Sequence, residues 1–272
     1  MEQKLRAALQ AIQGVRIPDL PKEIMELDAA LSSKFPNNQD ITNIIESNTK
    51  LSGEVLRLVN SPVMKLKNPV KSIREAVDIL GYINLKNLVV ASALQNMFST
   101  REVQEIIEHS KDIAFCCSEL SDHLEGVTRD EAYLLGLFHN AGCLLLASKD
   151  PENYPKLFNK VHAKPLTGVN VEVENYGSSH ADIGILIGKK WQLPGEMLNV
   201  IMLLHRPPSV IHNDRIRGMT SMIQVANAIV SEVSLGSYIT DEARQYLADA
   251  QDDMMIGDDV IDTVRKALIV FS

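Results

Sequence analysis

Two adjacent polar residues, His139 and Asn140, stand in the middle of an otherwise apolar stretch, DEAYLLGLFHNAGCLLLAS, which covers residues 130–148. The spacing of its apolar residues predicts one central, buried helix. A polar side chain in such a helix needs a partner, because burying it unpaired costs about 1 to 3 kcal/mol. The pair is therefore either part of a functional site, in which an imidazole binds a ligand or carries a proton, or a satisfied polar network of the core. The residues alone leave both interpretations open.

The other histidines are weaker evidence when each is taken alone. His180 begins a predicted helix after two serines that could cap it, which allows a surface position. His205 ends the segment LNVIMLLHRPP, where the helix dipole favours a histidine and Pro207 ends the helix. His109 lies in the polar stretch EHSKD, and three more are predicted to face solvent: His123, His162 and His212.

Two further kinds of site are not supported by the sequence. The cysteines Cys116, Cys117 and Cys143 are odd in number and lack a C-x-x-C spacing, so they predict neither a disulfide framework nor a zinc ribbon. The segment GILIGKK at 184–190 differs from a phosphate-binding loop in its glycine spacing and in lacking a serine or threonine after the lysine. We expect Cys143 to be a small buried hydrophobe.

The elements that would position these residues are predicted to be helices almost throughout. Pro21 is expected to open the first long one, Asp40 to cap the next, and Ser72 with Glu75 to form a capping box before a break at Gly81. One short candidate strand is predicted at 168–174 (GVNVEVE), and two more helical segments precede the C-terminus. The helices are predicted at about 22–35, 41–47, 52–60, 76–80, 83–98, 102–124, 130–148, 151–162, 180–192, 194–205 and 216–234.

Composition narrows the class of protein. The 272 residues are 45% hydrophobic and 23% charged, which is typical of a globular chain rather than a disordered one. The formal net charge of −8 argues against nucleic acid as the main partner, because phosphate binding needs concentrated Lys and Arg. No apolar run approaches the roughly 18 to 20 residues of a membrane span, and the charged N-terminus is unlike a secretory signal. We therefore expect a cytoplasmic protein without a membrane or nucleic-acid partner.

Seven segments, read in order, carry a resemblance to a known family: IPDLP (17–21), LRLVNS (56–61), PVKSIREAVDILG (69–81), GLFHNAG (136–142), HADIG (180–184), WQLP (191–194) and His205. In this combination the chain from Val15 to about Pro208 resembles the HDOD family, a divergent branch of the HD superfamily of metal-dependent phosphohydrolases. The resemblance implies an all-α fold of two packed helical lobes, an N-terminal helical subdomain and an HD-like helical bundle. We predict an extension at 1–14, lobes at 15–98 and 99–210, and C-terminal helices at 211–272 packed on the second lobe.

The resemblance also bears on chemistry. Active HD enzymes hold a divalent metal with a histidine, a tandem His-Asp and a later aspartate. Here His109 and His139 match the histidines, but Asn140 replaces the paired aspartate and Asn227 stands at the matching late position. Mg²⁺ and Mn²⁺ prefer anionic oxygen ligands, so two amides in place of two carboxylates predict a site without metal or catalytic residues. We expect a vestigial ligand pocket lined by six residues: His109, His139, Asn140, His180, His205 and Asn227.

The function implied by the resemblance is bacterial-type signal transduction without catalysis or a cofactor. The domain would bind a protein partner in a signalling pathway or a small signalling ligand, and a homodimer is compatible with the C-terminal helices. The alternative is a residual metal-dependent phosphohydrolase acting on a nucleotide or cyclic dinucleotide. It would need the imidazoles to converge on one metal, together with an oxygen ligand such as Asp182 or Glu108.

Overall fold

The computed structural model describes residues 2–97, 101–235 and 240–271, and within these ranges no residue lies in a strand. The prediction of an all-α fold is confirmed. The chain begins with α1 (Glu2–Ala11), α2 (Lys22–Leu31), α3 (Asn38–Glu46), α4 (Thr49–Val59) and α5 (Ile73–Met97), and a short 3-10 turn at Pro62–Met64 separates α4 from α5. Helices α2 to α5 pack together as the first lobe, whereas α1 packs on the helix His180–Lys190 of the second lobe.

Local sequence explains most of these boundaries. Pro21 precedes α2 as predicted, although α2 ends at Leu31 instead of Phe35. The predicted cap at Asp40 is wrong, because the side chain of Asn37 accepts the backbone N–H groups of Gln39 and Asp40 and so starts α3 one turn earlier. Because α3 starts at Asn38, three residues before the predicted start, it gains about one helical turn.

The capping box before α5 is confirmed with one change. The Ser72 hydroxyl accepts the N–H of Glu75 at 3.2 Å, but the Glu75 carboxylate accepts the N–H of Lys71 at 2.8 Å rather than that of Ser72. The predicted break at Gly81 is also present, since its φ of 76° lies in the left-handed region and interrupts α5.

The second lobe surrounds α6, which contacts the 3-10 turn at Pro62–Met64 and several of the helices that follow it. Its helices are α6 (Arg101–Leu120), α7 (Arg129–Phe138), α8 (Ala141–Lys149), α9 (Tyr154–His162), α10 (Val169–Tyr176), α11 (His180–Lys190) and α12 (Gly195–Leu203). Three helices follow, α13 (Asp214–Leu235), α14 (Asp241–Met254) and α15 (Asp258–Phe271), with short 3-10 turns at Ser121–His123 and Pro208–Val210.

The strand predicted at 168–174 is wrong, because this segment is helical and becomes α10. The apparent alternation hides a helical spacing of inward-facing residues, Val169, Glu172 and Tyr176, whereas Val171 and Val173 are exposed. Gly177, with a φ of 79°, ends the helix in the left-handed conformation. The residue that this helix buries completely is Glu172.

The single helix predicted over 130–148 is wrong as well. Asn140, with φ −99° and ψ 12°, leaves the helical region and separates α7 from α8. Both helices remain buried almost all round, as their composition predicts. The break places His139 and Asn140 at the junction between two core helices.

The two lobes contact each other through α5 and α7, and α13 and α15 both pack on α6. The predicted domain boundaries stay predictions, and the junction at 98/99 lies outside the described residues. The segment Ile73–Asn96 of α5 is long and apolar enough to cross a membrane, yet half of its most apolar window is buried within the fold. A core helix has the same properties.

Candidate functional site

The junction between α7 and α8 buries its two polar residues completely, since His139 and Asn140 are both 0% exposed. The Nδ1 of His139 lies 2.5 Å from the carbonyl oxygen of Gly136. A carbonyl only accepts, so Nδ1 carries the proton and Nε2 carries the lone pair. That Nε2 atom is buried and has no hydrogen-bond partner among the described residues.

Two more imidazoles are anchored in the same way at the ends of their helices. The Nδ1 of His162, the last residue of α9, donates to the carbonyl of Phe158 at 2.9 Å. The Nδ1 of His205, just beyond α12, donates to the carbonyl of Pro165 at 2.6 Å. In both rings this contact fixes the tautomer and leaves the lone pair at Nε2. Three backbone carbonyls therefore orient three imidazoles.

His180 differs, because a carboxylate faces its Nδ1. The Oε2 atom of Glu172 lies 2.7 Å from His180 Nδ1 and 2.7 Å from the backbone nitrogen of His180, and the phenol of Tyr154 donates to Glu172 Oε1 at 2.6 Å. On its other side, His180 Nε2 lies 3.0 Å from His205 Nε2. Since the tautomer of His205 makes its Nε2 an acceptor, His180 donates there and carries two protons. Glu172, His180 and His205 form one hydrogen-bonded chain.

The pKa directions agree with these roles. Burial alone would raise the pKa of Glu172 and lower that of His180, but their contact reverses both effects and favours the charged pair. Burial lowers the pKa of His139 to about 3. Burial together with the charged His180 lowers the pKa of His162 to about 4 and that of His205 to about 3. One imidazolium is thus surrounded by neutral imidazoles.

The imidazoles enclose a cavity of about 20 Å³, here called the histidine cavity, whose walls include His139, His162, His205 and Asn227. The Oδ1 atom of Asn227 is buried and unpartnered within the described part of the chain, while its Nδ2 donates to the carbonyl of Ile223 at 3.1 Å. This volume is enough for one water molecule. A water could donate both of its hydrogens to the orphaned acceptors of His139 and Asn227.

Asn140 closes the cluster through its side-chain amide, whose Oδ1 atom lies 3.3 Å from His162 Nε2 and 3.7 Å from Cys143 Sγ. Because that nitrogen is an acceptor, the amide satisfies it by presenting its NH₂ group, which a half-turn about the terminal bond brings there. The same half-turn gives a partner to the amide nitrogen, which otherwise has none among the described residues. An aspartate at this position has no such donor.

The six residues predicted to line a ligand pocket do lie in one region. His109 joins through its ring, which stands edge-on to His162 with centroids 5.4 Å apart, and His162 in turn stacks on His180 at 5.8 Å. Burial lowers the pKa of His109 well below its ordinary value. That these residues bind a ligand stays a prediction.

Two expectations about single residues need correction. His180 is 0% exposed and not at the surface, because the buried Glu172 holds it. His162 faces the cluster rather than solvent, whereas His123 and His212 are exposed as predicted. Sequence reasoning missed Glu172 and Tyr154 entirely, and the helical spacing of Val169, Glu172 and Tyr176 was the pattern that could have revealed the first.

Cys143 is fully buried, as expected, and its sulfur lies near Glu172 and His180, with ligand atoms of the three residues within 4.8 Å of one another. Both oxygens of Glu172 are already engaged by three hydrogen bonds, from Tyr154 and from the backbone and ring of His180. Burial raises the pKa of the Cys143 thiol. The trio is therefore a packed hydrogen-bonded group and not a metal site.

Close helix packing holds this arrangement in place. A Cβ atom built on Gly142 of α8 would lie 1.9 Å from the carbonyl oxygen of His180 in α11. Only a glycine lets the two helices approach this far. The side chain of Ser179 caps α11 by accepting the N–H of Asp182 at 3.2 Å, which fixes the first turn of α11, where His180 lies.

The chain is similar in sequence to a protein of known sequence but uncharacterized function. It is 27% identical over 200 residues to an uncharacterized protein of Treponema pallidum (strain Nichols), which is 71% of this chain but 38% of that protein. The chain thus spans well under half the length of this curated relative.

Two solved structures are similar over nearly the whole chain. One is a candidate phosphohydrolase of Shewanella amazonensis SB2B, with a TM-score of 0.69 and 25% identity over 96% of this chain and 93% of that one. The other is a candidate signal transduction protein of Marinobacter aquaeolei VT8, with a TM-score of 0.68 and 17% identity over 98% of this chain and 62% of that one.

The profile of the HDOD domain matches residues 17–207, which is more than half of the chain. This range contains every residue of the imidazole cluster and its carboxylate, from His109 to His205, and leaves Asn227 outside. The two-lobed helical fold and the sequence match agree. The chain belongs to the HDOD domain family.

Proposed function

We propose that this HDOD protein is a non-catalytic regulator in signal transduction, which binds a protein partner or a small signalling ligand. The observation that carries the proposal is the size of the histidine cavity, about 20 Å³. Small-molecule sites usually measure about 300 to 1,000 Å³. A nucleotide therefore has no access to the imidazoles in this conformation, although they are the residues that phosphohydrolase chemistry would use.

The donors around the cavity also do not fit a hard divalent metal. Mg²⁺ and Mn²⁺ prefer carboxylate oxygens, whereas the walls offer imidazole nitrogens and the amide oxygen of Asn227. The buried carboxylate of the cluster, Glu172, is turned toward Tyr154 and His180 and is fully hydrogen-bonded. Among the described residues that line the cavity, no charged oxygen remains to hold such an ion and activate a water.

Asn140 supports the same proposal. With its NH₂ group turned toward His162, the Asn140 amide satisfies the lone pair of Nε2 without a metal, whereas an aspartate has only acceptors to present there. An Asp-His pair of this kind needs a metal ion or an added proton between its members. The amide makes the metal-free state self-consistent.

The family context supports regulation, since the Marinobacter protein of the same fold is a candidate signal transduction protein. The protein partner, the cytoplasmic location and a possible second copy in a homodimer all belong to the proposal. Any catalytic role would have to be reconciled with the closed cavity.

One observation favours the alternative, a residual phosphohydrolase. The Nδ1 atoms of His139, His162 and His205 are held by carbonyls, as is usual for histidines that bind a metal through the other nitrogen. Such a nitrogen-rich set suits zinc, and the Shewanella protein is a candidate phosphohydrolase.

The test measures metal content and hydrolysis on the same preparation. The full chain, purified without chelator, is analysed by elemental mass spectrometry and then incubated with p-nitrophenyl phosphate, bis-p-nitrophenyl phosphate and cyclic di-GMP, with and without added Mn²⁺ or Zn²⁺. We expect far less than one ion per chain and no hydrolysis above the blank. The double variant Asn140→Asp/Asn227→Asp is the matched comparison, in which metal uptake is expected to rise.

The outcome that contradicts the proposal is specific. Near-stoichiometric zinc, with hydrolysis that disappears in His139→Ala, would establish the enzyme. Hydrolysis that survives His139→Ala would be a contaminant and would leave the proposal standing.

A further inference from the structure

A second and much larger hollow of about 270 Å³ lies between the lobes, where α4 and α5 meet α6, α7 and α15. We call it the interlobe groove. Its chemistry is carried by six of its lining residues: Arg57, Ser92, Gln95, Lys111, Tyr133 and Phe271. None of them belongs to the imidazole cluster.

The floor of the groove carries hydrogen-bonding groups that the protein does not fully use. Ser92 is 3% exposed, and its hydroxyl makes no hydrogen bond to another described residue but is open to solvent through the groove. Gln95 Nε2 donates to the phenol oxygen of Tyr133 at 3.0 Å, which occupies an oxygen lone pair and leaves the phenol proton for another acceptor. Tyr133 is also 3% exposed. Both groups can therefore exchange a water molecule in the groove for a ligand that offers an acceptor.

The rim carries positive charge from both lobes, together with the carboxylate of Glu54, which accepts from Asn96 Nδ2 and lies 4.0 Å from Lys50 Nζ. Arg57 on α4 is exposed and has no ion-pair partner in the described part of the chain. Lys111 on α6 lines the groove from the second lobe, and its Nζ donates to both carboxylate oxygens of Glu108, at 3.0 and 2.8 Å. A phosphate or carboxylate between the two cations would gain charge-assisted hydrogen bonds.

The walls are apolar. Leu58 and Ile107 line the sides, and the ring of Phe271 lines one end, with its other face stacked on Phe115 at 4.2 Å. An aromatic ring and aliphatic walls accept the flat face of a nucleobase, while a glutamine amide offers the paired donor and acceptor that read a base edge. The volume is just below the usual range for small-molecule sites, which excludes a dinucleotide.

We propose that the interlobe groove binds a nucleoside monophosphate, with its phosphate at Arg57 and Lys111 and its base against Gln95, Ser92 and Tyr133. This inference deepens the proposed function, on which it rests, by giving the regulator a ligand site away from the histidine cavity. Because the groove is shared between the lobes, a bound ligand favours whichever lobe arrangement completes its contacts. The arrangement of the two lobes would thus differ between the free and the ligand-bound protein, and a partner could recognise that difference.

Isothermal titration calorimetry on the full chain tests the proposal with AMP, GMP, CMP and UMP, each compared with its nucleoside and with inorganic phosphate. We expect at least one monophosphate to bind with 1:1 stoichiometry and about tenfold more tightly than its nucleoside. Arg57→Gln should remove that difference, and Ser92→Ala and Tyr133→Phe should weaken monophosphate and nucleoside alike.

Arg74→Gln is the matched control, because Arg74 is exposed on the same lobe but lies outside the groove. Each variant is first checked for an unchanged melting curve. No heat with any of the four monophosphates at millimolar concentration would overturn the proposal, as would binding that Arg57→Gln and Tyr133→Phe leave unchanged. Chromatography of the recovered ligand distinguishes the proposed function from the proposed site. An intact monophosphate supports both. A nucleoside product contradicts the non-catalytic function but leaves the ligand site in the interlobe groove supported.

Discussion

The two hollows of this protein differ in what their polar groups do. In the histidine cavity, nearly every imidazole has one nitrogen fixed by a carbonyl or a carboxylate, and the enclosed volume of about 20 Å³ holds at most a water. In the interlobe groove, a volume of about 270 Å³ is open and the hydroxyl of Ser92 is unpaired. The imidazoles of the histidine cavity are therefore hydrogen-bonded within the fold, while the polar side chains of the interlobe groove remain available to a ligand.

This contrast teaches that a cluster of histidines is not by itself a site. Fixing a tautomer serves a metal centre and a hydrogen-bonded core equally well. The distinction depends on free volume and on which acceptors stay unpaired. If the contrast is real, substitutions in the cluster change stability, and substitutions in the groove change binding.

The largest expected effect is at Gly142. Gly142→Ala places a Cβ 1.9 Å from the carbonyl of His180, a backbone atom that cannot rotate away, so α8 and α11 must separate. We expect a loss of more than about 5 kcal/mol, which leaves little folded protein at 25 °C. The yield of folded protein and its urea midpoint measure this effect. Gly184→Ala is the control, because its nearest neighbours are 3.5 Å away and the change should be close to neutral.

The next effect is at the buried carboxylate. Glu172→Ala leaves the charged His180 unpaired and removes the acceptor of Tyr154, so we expect a loss of about 3 to 5 kcal/mol in the free energy of unfolding. Urea denaturation at pH 7 measures it. Glu174→Ala, an exposed change on the same helix, should cost less than about 0.5 kcal/mol. Equal effects of the two variants would show that the Glu172–His180 pair does not stabilise the cluster.

These two residues mark what sequence reasoning can and cannot find. Gly142 enters the sequence analysis only as part of the segment GLFHNAG, whereas the pair His139-Asn140 stands out because it interrupts an apolar pattern. Glu172 does not, because it sits in a short run where apolar and polar residues alternate, and that pattern predicts a strand with its acids in solvent. Its burial depends on Tyr154 and His180, which are distant in the sequence. Local periodicity carries no information on such partners.

The fold itself was predictable, since helical periodicity is set by residues within two turns of one another. The break at Asn140 was not, because neither glycine nor proline marks it and its conformation, φ −99° and ψ 12°, is common to many residues. His162 was assigned to solvent because it ends α9 beside polar residues. Its ring turns inward because the Phe158 carbonyl and the Asn140 amide both bind it.

The next effect is the loss of stability of the histidine cluster when the pH is lowered from 6 to 5. Burial lowers the folded-state pKa of His139 and His205 to about 3 and of His162 to about 4, so between pH 6 and 5 the unfolded chain takes up protons that the folded chain does not. Stability therefore falls as the pH falls, by about 1 kcal/mol for each of these three imidazoles over that unit, or about 3 kcal/mol together. The buried His109, whose pKa also lies well below its ordinary value, adds to this loss. His180 does not offset this loss, because its raised pKa leaves it protonated in both states there. Urea midpoints at pH 6 and pH 5 measure the difference, and a flat profile would mean that the cluster is already charged.

The smallest expected effect is at Ser92, where the contrast between the regions is sharpest. Ser92→Ala removes a hydroxyl without a partner in the described chain, so the free energy of unfolding should change by less than about 0.5 kcal/mol, while binding in the interlobe groove weakens. Ser179→Ala is the same substitution at the cap of α11, where the lost bond to the Asp182 N–H should cost about 1 kcal/mol. Thermal unfolding of both variants beside the parent protein gives the comparison. If Ser92→Ala destabilises as much as Ser179→Ala, the Ser92 hydroxyl serves the fold, and the groove loses the group that most directly indicates a ligand.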